Sequence, residues 1–271
     1  GTTEAFEGRA GADTMDGRGG FDLVRYDNDP TAAGITVNMT AGTVHGDAAI
    51  GDDTLIGIES VRGTNFADIY DATGFAANSA NATGGTFNEF EGGGGNDSIT
   101  GSGDTRVSYS RATAAVTVNL ATGVADGDAS VGHDTFAGAN VNGLSHGIAT
   151  VRGSNFNDVL TGSNNGSAFV EIFEGGGGND TINGNGGFDR ADYHNFATGA
   201  NGIKVNLGAG TVTGIDVAAT AVVGTDTLLS IESIFGTNSA DTYDASTFTA
   251  TSVNGGGAND QGNFNEFQGF G

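Results

Sequence analysis

A long internal repeat is the feature that most constrains this fold. Its opening motif, Phe-Glu-Gly or Phe-Gln-Gly, occurs four times, starting at Phe6, Phe90, Phe173 and Phe267. Self-similarity at a period of this kind indicates a solenoid or an array of stacked units. We therefore predict one continuous solenoid over residues 1–271. Its repeats are approximately 6–89, 90–172 and 173–266, and residues 267–271 start a further repeat.

Short strands separated by glycine turns are the predicted elements. Apolar and polar residues alternate in Ile35–Met39, which is the period of a strand. Glycine clusters interrupt every few residues and leave no room for a helix of useful length. Asp13 and Asp22 are 9 positions apart, and Ile35 and Asp53 are 18 apart. We read these spacings as a half-turn and a full coil of an all-β solenoid.

The charge of the chain excludes several classes of protein. There are 33 acidic side chains against 9 basic ones, which gives a formal net charge of −24. Such a surface repels nucleic acid and anionic membranes, and no stretch approaches the ~20 apolar residues that span a bilayer. Without cysteine there are no disulfides or thiolate metal sites. The combination predicts a chain that folds once multivalent cations neutralise its carboxylates.

A glycine-rich nonapeptide carries the chemistry. Residues 92–100 and 175–183 match the pattern G-G-x-G-x-D-x-U-x, where U is a large apolar residue. Residues 8–16, 17–25 and 184–192 are imperfect copies. Calcium prefers six to eight oxygen ligands, and glycine turns bring backbone carbonyls close to an ion while the aspartate adds charge. We therefore expect several calcium ions, held in turns between neighbouring coils.

These nonapeptides resemble those of the repeats-in-toxin family, the hemolysin-type calcium-binding repeats. The segments between them resemble long-repeat extracellular, adhesin-like members. The resemblance implies a right-handed parallel β-roll, or β-solenoid, with calcium bound in the turns. It also implies type I secretion to the outside or surface of a bacterial cell.

Transferring the family pattern position by position gives three groups of candidate metal ligands. The nonapeptide aspartates are Asp97, Asp180, Asp13, Asp22 and Asp189. The aspartates of the Gly-x-Asp-Thr segments are Asp53, Asp134 and Asp226. The aspartates that follow Gly-Thr/Ser-Asn are Asp68, Asp158 and Asp241, for which turn capping is an equal alternative. The glycines expected to bring carbonyl oxygens to the ions are Gly93, Gly95, Gly176 and Gly178.

No enzyme activity is expected. Gly143–Gly147 fits the string G-x-S-x-G, but it lies in an insertion of the middle repeat where no helix is expected to follow. The four histidines lack the paired spacing of a zinc site. Glu59 and Glu232 share an Ile-Glu-Ser context, which favours a repeated structural role over catalysis.

The expected function is a calcium-dependent structural repeat segment of a large secreted or cell-surface protein. An adhesin stalk, a surface layer or an extracellular filament would fit, and folding would follow export. The expected partners are calcium, further repeats or copies of the chain stacked end to end, and surface glycans, with no nucleic acid or membrane insertion. The alternative is an accessory secretion or folding module of an exported hydrolase or polysaccharide-modifying enzyme. An ice-binding face would need a threonine ladder, and none is found at constant spacing.

Overall fold

A computed structural model describes residues 3–82, 85–141, 143–166, 168–195, 201–249 and 266–269. The first repeat contributes β1 (Ala5–Phe6), β2 (Thr14–Asp16), β3 (Leu23–Arg25), β4 (Thr36–Asn38), β5 (Thr43–His45), β6 (Asp52–Ile56), β7 (Ser60–Arg62) and β8 (Ile69–Asp71). The second contributes β9 (Asn88–Glu91), β10 (Ser98–Thr100), β11 (Thr105–Ser108), β12 (Thr117–Asn119), β13 (Val124–Asp126), β14 (His133–Ala137), β15 (Ile148–Arg152) and β16 (Val159–Thr161). The third contributes β17 (Val170–Glu174), β18 (Thr181–Asn183), β19 (Phe188–Asp192), β20 (Asn201–Asn206), β21 (Thr211–Gly214), β22 (Thr225–Leu229), β23 (Ser233–Phe235) and β24 (Ala240–Asp244), followed by β25 (Glu266–Gln268).

The strands form two sheets, and the chain alternates between them as in a solenoid. The ten-stranded sheet is parallel throughout, in the order β1-β3-β7-β9-β11-β15-β17-β19-β23-β25. The fifteen-stranded sheet runs β2-β6-β5-β4-β8-β10-β14-β13-β12-β16-β18-β22-β21-β20-β24. Within the described residues, each repeat gives three strands to the first sheet and five to the second. The prediction of a nearly all-β, solenoid-like architecture with long parallel sheets is confirmed.

Apolar side chains that point between the sheets form continuous ladders. One residue from each strand of the ten-stranded sheet joins a single register line: Phe6, Val24, Val61, Phe90, Val107, Val151, Phe173, Ala191, Ile234 and Phe267. The line is fully or nearly fully buried from Val24 to Ile234. Phe6 and Phe267 are partly buried against the same core. Burial of these ladders supplies the main apolar contribution to folding.

Each repeat also contains an antiparallel meander, which the residue spacings did not indicate. In the first repeat, β4 pairs antiparallel with β5, and β5 pairs antiparallel with β6. The same pairing joins β12, β13 and β14, and again β20, β21 and β22. The segment from Ile35 to Asp53, 18 positions apart, therefore forms a meander within one sheet, and our interpretation of that spacing as a full coil is wrong.

Helix content is small, as expected. A seven-residue helix α1 (Val217–Val223) begins after Asp216, whose side chain accepts the N–H of Ala219 at 2.8 Å. A single 3₁₀ turn (Ser145–Gly147) lies in the insertion of the middle repeat. Both occur in connections between strands, so the regular body consists of sheet.

Candidate functional site

The nonapeptide turns have a shared backbone shape that explains their glycines. Gly93 and Gly95 have φ of +85° and +126°, and Gly176 and Gly178 have φ of +100° and +115°. L-residues rarely adopt these angles, so glycine is favoured there. The imperfect copies keep the conformation at the second position without glycine. The residues at this second position are Arg9, Arg18 and Asn185, with φ of 64°, 62° and 66°.

The first glycine of the nonapeptide is needed for a different reason. A Cβ added to Gly92 would collide with Oδ2 of Asp97, five residues later. Gly175 stands in the same relation to Asp180. The motif therefore folds the carboxylate back over the start of its own turn, and only glycine leaves space for it.

Each nonapeptide aspartate also links neighbouring coils. The main-chain N–H of Asp97 donates to Oδ1 of Asp134 at 2.9 Å, and the N–H of Asp68 donates to Oδ1 of Asp97 at 2.9 Å. One repeat later, Asp180 donates to Asp226 at 2.9 Å, and Asp158 donates to Asp180 at 2.8 Å. These hydrogen bonds form columns of carboxylates along the turns that enter the fifteen-stranded sheet. In the first repeat the N–H of Asp13 donates to Oδ1 of Asp53 at 3.0 Å, which gives a shorter column.

The Gly-x-Asp-Thr aspartates have protein donors on both oxygens. While Oδ1 accepts the N–H described above, Oδ2 accepts a buried tyrosine hydroxyl. The three pairs are Tyr26–Asp53 at 3.0 Å, Tyr109–Asp134 at 3.2 Å and Tyr193–Asp226 at 2.9 Å. The tyrosine that closes each glycine-rich run therefore fixes the aspartate of the meander that follows.

The third group makes the turn-capping hydrogen bonds that we had considered as an alternative to metal binding. Asp68 accepts the N–H of Thr64 at 2.7 Å and its hydroxyl at 3.0 Å. Asp158 accepts the N–H of Ser154 at 2.5 Å and its hydroxyl at 2.7 Å. Asp241 accepts the hydroxyl of its equivalent threonine at 2.8 Å. Each also accepts an N–H at the start of a meander strand, and the distances are 2.7–2.8 Å.

A second set of carboxylates lies at the opposite turns, where the chain enters the ten-stranded sheet. The N–H of Asp22 donates to Glu59 at 2.9 Å, and that of Asp189 donates to Glu232 at 2.8 Å. Glu59 and Glu232 therefore make the same main-chain contact in two repeats, which is what a repeated structural role predicts. Sequence reasoning missed Glu171, which is buried and accepts the N–H and hydroxyl of Ser163 at 2.8 Å and 2.6 Å.

The middle repeat builds the buried part of this opposite turn from an amide and hydroxyl groups. Oδ1 of Asn88 accepts the hydroxyls of Tyr70 at 2.9 Å and Thr105 at 2.7 Å. Its amide nitrogen donates to the hydroxyl of Ser102 at 2.8 Å. Asp104, in the poorest copy of the nonapeptide, accepts the hydroxyl of Thr86. Coils can therefore stack on a neutral network where the motif fails.

Several aspartates keep one buried oxygen without a donor. Among the described residues, Oδ2 has no hydrogen-bond partner in Asp13, Asp22, Asp97, Asp180 and Asp241, nor in Asp29, which lies outside the predicted ligand groups. Burial raises the pKa of Asp97 to about 9 and that of Asp180 to about 8, because the charged form loses its hydration. Burial likewise raises the pKa of Asp134 and Asp226 to about 7. A buried, unpaired carboxylate is costly unless a counter-charge joins it.

The oxygen donors of these turns are of the type that calcium binds, but they do not form a cage of carboxylates. Within the part of the chain that the structure describes, no three acidic or histidine side chains converge on one point. Any shell must therefore include main-chain carbonyls, which calcium accepts readily. Such carbonyls line the turns: a Cβ on Gly93 would meet the carbonyl of Thr64, and one on Gly176 that of Ser154. Hard oxygen donors and uncompensated carboxylates together suit a calcium ion better than a softer metal.

An arginine–glutamate ladder on the outer face of the ten-stranded sheet was not predicted. Arg62 contacts Glu91 at 2.7 Å, and Arg152 contacts Glu174 at 2.6 Å. Arg106 bridges to Glu89 and, at 3.2 Å, to Glu174. The signal that could have found it is the dipeptide Val-Arg, which occurs at residues 24–25, 61–62 and 151–152 and ends three of the parallel strands.

The string Gly143–Gly147 lacks the surroundings of a catalytic serine. A nucleophile elbow places the serine between a strand and a helix. Here Ser145 lies in a 3₁₀ turn that leads directly into strand β15. The rings of three histidines are half-exposed or exposed, and each contacts an aspartate: His45–Asp52, His133–Asp126 and His194–Asp192.

Comparison with known proteins adds no relative. No family model matches the chain, and no curated protein matches its sequence. The resemblance to the repeats-in-toxin family therefore rests on the nonapeptides themselves. Among the described residues, no helix has the length and hydrophobicity needed to cross a membrane.

Proposed function

We propose that the chain is a calcium-dependent structural repeat segment of a large secreted or cell-surface protein. The observation that carries the proposal is the set of buried Oδ2 atoms without donors, repeated at the first-group turns. A soluble protein does not normally retain several buried charges without partners. A divalent cation at each turn would supply the missing partner and offset part of the net charge of −24.

Asp97 and Asp180 would be the principal charged ligands, because each is buried and has a free Oδ2 beside its own glycine turn. Asp13 and Asp22 would follow in the first repeat, and Asp189 occupies the equivalent turn of the third. Carbonyl groups of the glycine turns, including those of 92–95 and 175–178, would complete the shells. Asp53, Asp134 and Asp226 would act mainly by holding the coils together, since both of their oxygens already accept protein hydrogen bonds.

Folding and calcium binding would then be one process. Where calcium is scarce, carboxylate repulsion and burial oppose coil stacking, and the chain remains extended enough for export. Where calcium is plentiful, the ions allow adjacent coils to close. The product is a rod of stacked coils, suited to a stalk, a surface layer or an extracellular filament.

The test is circular dichroism of the purified chain in chelator and then in millimolar calcium, with the number of bound ions measured by calorimetry. We expect β-structure to appear with calcium and to disappear on chelation, and magnesium at the same concentration to be a poor substitute. A chain that is fully folded in excess chelator would overturn the proposal.

A further inference from the structure

Three clefts occupy the same place in successive repeats. Each contains the glutamate of a repeat-opening Phe-Glu-Gly motif: Glu7, Glu91 and Glu174. Their volumes are about 320, 290 and 400 Å³. We call those around Glu91 and Glu174 the middle cleft and the third cleft. They lie where strands leave the ten-stranded sheet and include Gly93 and Gly176 of the nonapeptide turns, but their linings contain none of the aspartates proposed as metal ligands.

The middle and third clefts share their polar residues. An arginine paired with the glutamate lines each one, Arg62 in the middle cleft and Arg152 in the third. An asparagine from the following turn joins it, Asn65 and Asn155 respectively. Both asparagines are exposed, and neither side chain has a hydrogen-bond partner among the described residues. Each cleft therefore offers an amide that is free to donate and accept.

The charges of the middle cleft are balanced. Arg62 and Arg111 face Asp27 and Glu91, so the lining carries two positive and two negative groups. Arg111 contacts Asp27 only at 3.9 Å, beyond hydrogen-bond distance, and its side chain is 59% exposed. An anionic ligand would meet two carboxylates, whereas a neutral ligand rich in hydroxyl groups can use amide, guanidinium and carboxylate alike.

The corresponding position at the end of the third repeat has lost this chemistry. Phe235 replaces the arginine and Gln268 replaces the glutamate. The ring of Phe235 lies 3.8 Å from the guanidinium carbon of Arg190, and the amide of Asn238 donates to the carbonyl of His194 at 3.0 Å. The arginine and glutamate have changed together, and the asparagine is now engaged within the protein. The fold thus tolerates the pair Phe/Gln in the place of Arg/Glu.

The distance between the middle and third clefts follows from the strand order. Arg62 on β7 and Arg152 on β15 are three strands apart in the ten-stranded sheet. At ~4.8 Å per strand this separation is about 14 Å. Repeated neutral polar clefts fit a ligand that is itself repetitive, since linked units gain affinity by binding several sites at once. We propose that the middle and third clefts bind successive units of a neutral polysaccharide.

The first experiment is affinity electrophoresis of the calcium-loaded chain in gels that contain dextran, mannan, galactan or polygalacturonate. Retardation by at least one neutral polymer is expected, with a weaker effect from polygalacturonate. The double variant Asn65→Ala/Asn155→Ala should bind that polymer at least tenfold more weakly. Its fold should be unchanged because both side chains are exposed and unpartnered. Asn238→Ala is the matched control and should bind as the parent does.

A second variant tests the arginine and the glutamate of the middle cleft. Arg62→Phe/Glu91→Gln places in the middle cleft the pair that the third repeat already carries, and it should reduce binding several-fold. Three results would overturn the inference: no retardation by any neutral polymer, unchanged binding by the Asn65→Ala/Asn155→Ala variant, or tighter binding to polygalacturonate. A chain that folds with calcium but binds no polymer would defeat this inference alone and leave the calcium-dependent role intact.

Discussion

The N–H of Asp97 donates to Oδ1 of Asp134 at 2.9 Å, which joins a nonapeptide turn to the meander strand stacked on it. The two carboxylates nevertheless differ in whether Oδ2 has a hydrogen-bond donor. Oδ2 of Asp134 accepts the hydroxyl of Tyr109 at 3.2 Å, whereas Oδ2 of Asp97 is buried without a donor. Aspartate therefore occurs in two environments in these turns, one with donors on both oxygens and one with an unpaired Oδ2. Substitutions at the two positions can test each environment separately.

Replacing Asp97 by Asn should weaken calcium binding more than it disturbs the coil. The amide keeps an oxygen for the N–H of Asp68 but removes the negative charge. Because affinity follows the number of charged ligands, we expect the calcium concentration at half-maximal folding to rise roughly tenfold. A calcium titration followed by circular dichroism measures this change. Asp104→Asn, in the turn that lacks the full motif, should leave the midpoint within about twofold; equal shifts for both variants would refute the assignment.

Replacing Tyr109 by Phe should instead lower stability without changing the number of bound ions. Loss of the hydroxyl leaves Oδ2 of Asp134 buried without a donor, which costs about 1–3 kcal/mol. Urea unfolding in saturating calcium gives the free energy of unfolding, and calorimetry gives the ion count. In an Asp134→Asn background the same change should cost less, because no charged oxygen is left uncompensated. An altered ion count would show that Asp134 is a metal ligand after all.

The nonapeptide turns were predictable because their chemistry is local. The Gly-to-Asp spacing of five residues closes a turn on itself, as Gly92 and Asp97 show, and no distant partner is needed. The spacing of nine residues from Asp13 to Asp22 likewise corresponds to one crossing between the sheets. Local steric requirements of this kind are visible in one sequence.

The meander and the arginine ladder were not predictable in the same way. The spacing of 18 positions from Ile35 to Asp53 equals two half-turns of nine, so spacing alone could not separate a coil from a meander. The difference lies in pairing across the sheet, where Val44 sits opposite both Val37 and Asp53. The ladder depends on which strands become neighbours, since Arg106 reaches Glu174 from 68 residues away. Contacts at that separation are set by topology rather than by local pattern.

Alanine at Gly92 should destabilise the protein strongly. The added Cβ would collide with the carboxylate of Asp97, so either the turn or the coil contact to Asp68 must move. Overpacking of this kind typically costs about 1–3 kcal/mol. Gly19→Ala is the control, because nothing lies within 4 Å of the added atom. Unfolding in urea at saturating calcium should separate the two variants, and equal stability would show that the first glycine is not needed for steric reasons.

Without calcium, stability should depend on pH through the buried carboxylates. The folded-state pKa of Asp97 is raised to about 9 and that of Asp180 to about 8, from an ordinary value of 3.8. The folded chain therefore binds these protons more tightly than the unfolded chain. Their contribution is fully present below pH 3.8 and is lost as the pH rises to about 8 and 9. Calcium-depleted protein should accordingly contain more β-structure at pH 5 than at pH 9.

General repulsion among the carboxylates would also make the calcium-free protein less stable as the pH rises. Matched variants must therefore separate this repulsion from the titration of the buried aspartates. The double variant Asp97→Asn/Asp180→Asn removes two buried titrating groups and should make stability depend less on pH. Asp16→Asn/Asp104→Asn removes the same charge from outside the carboxylate columns and should leave most of the slope. In saturating calcium the direction should reverse at low pH, because metal ligands must be deprotonated to bind. Equal flattening by both variant pairs would assign the effect to net charge and not to the turns.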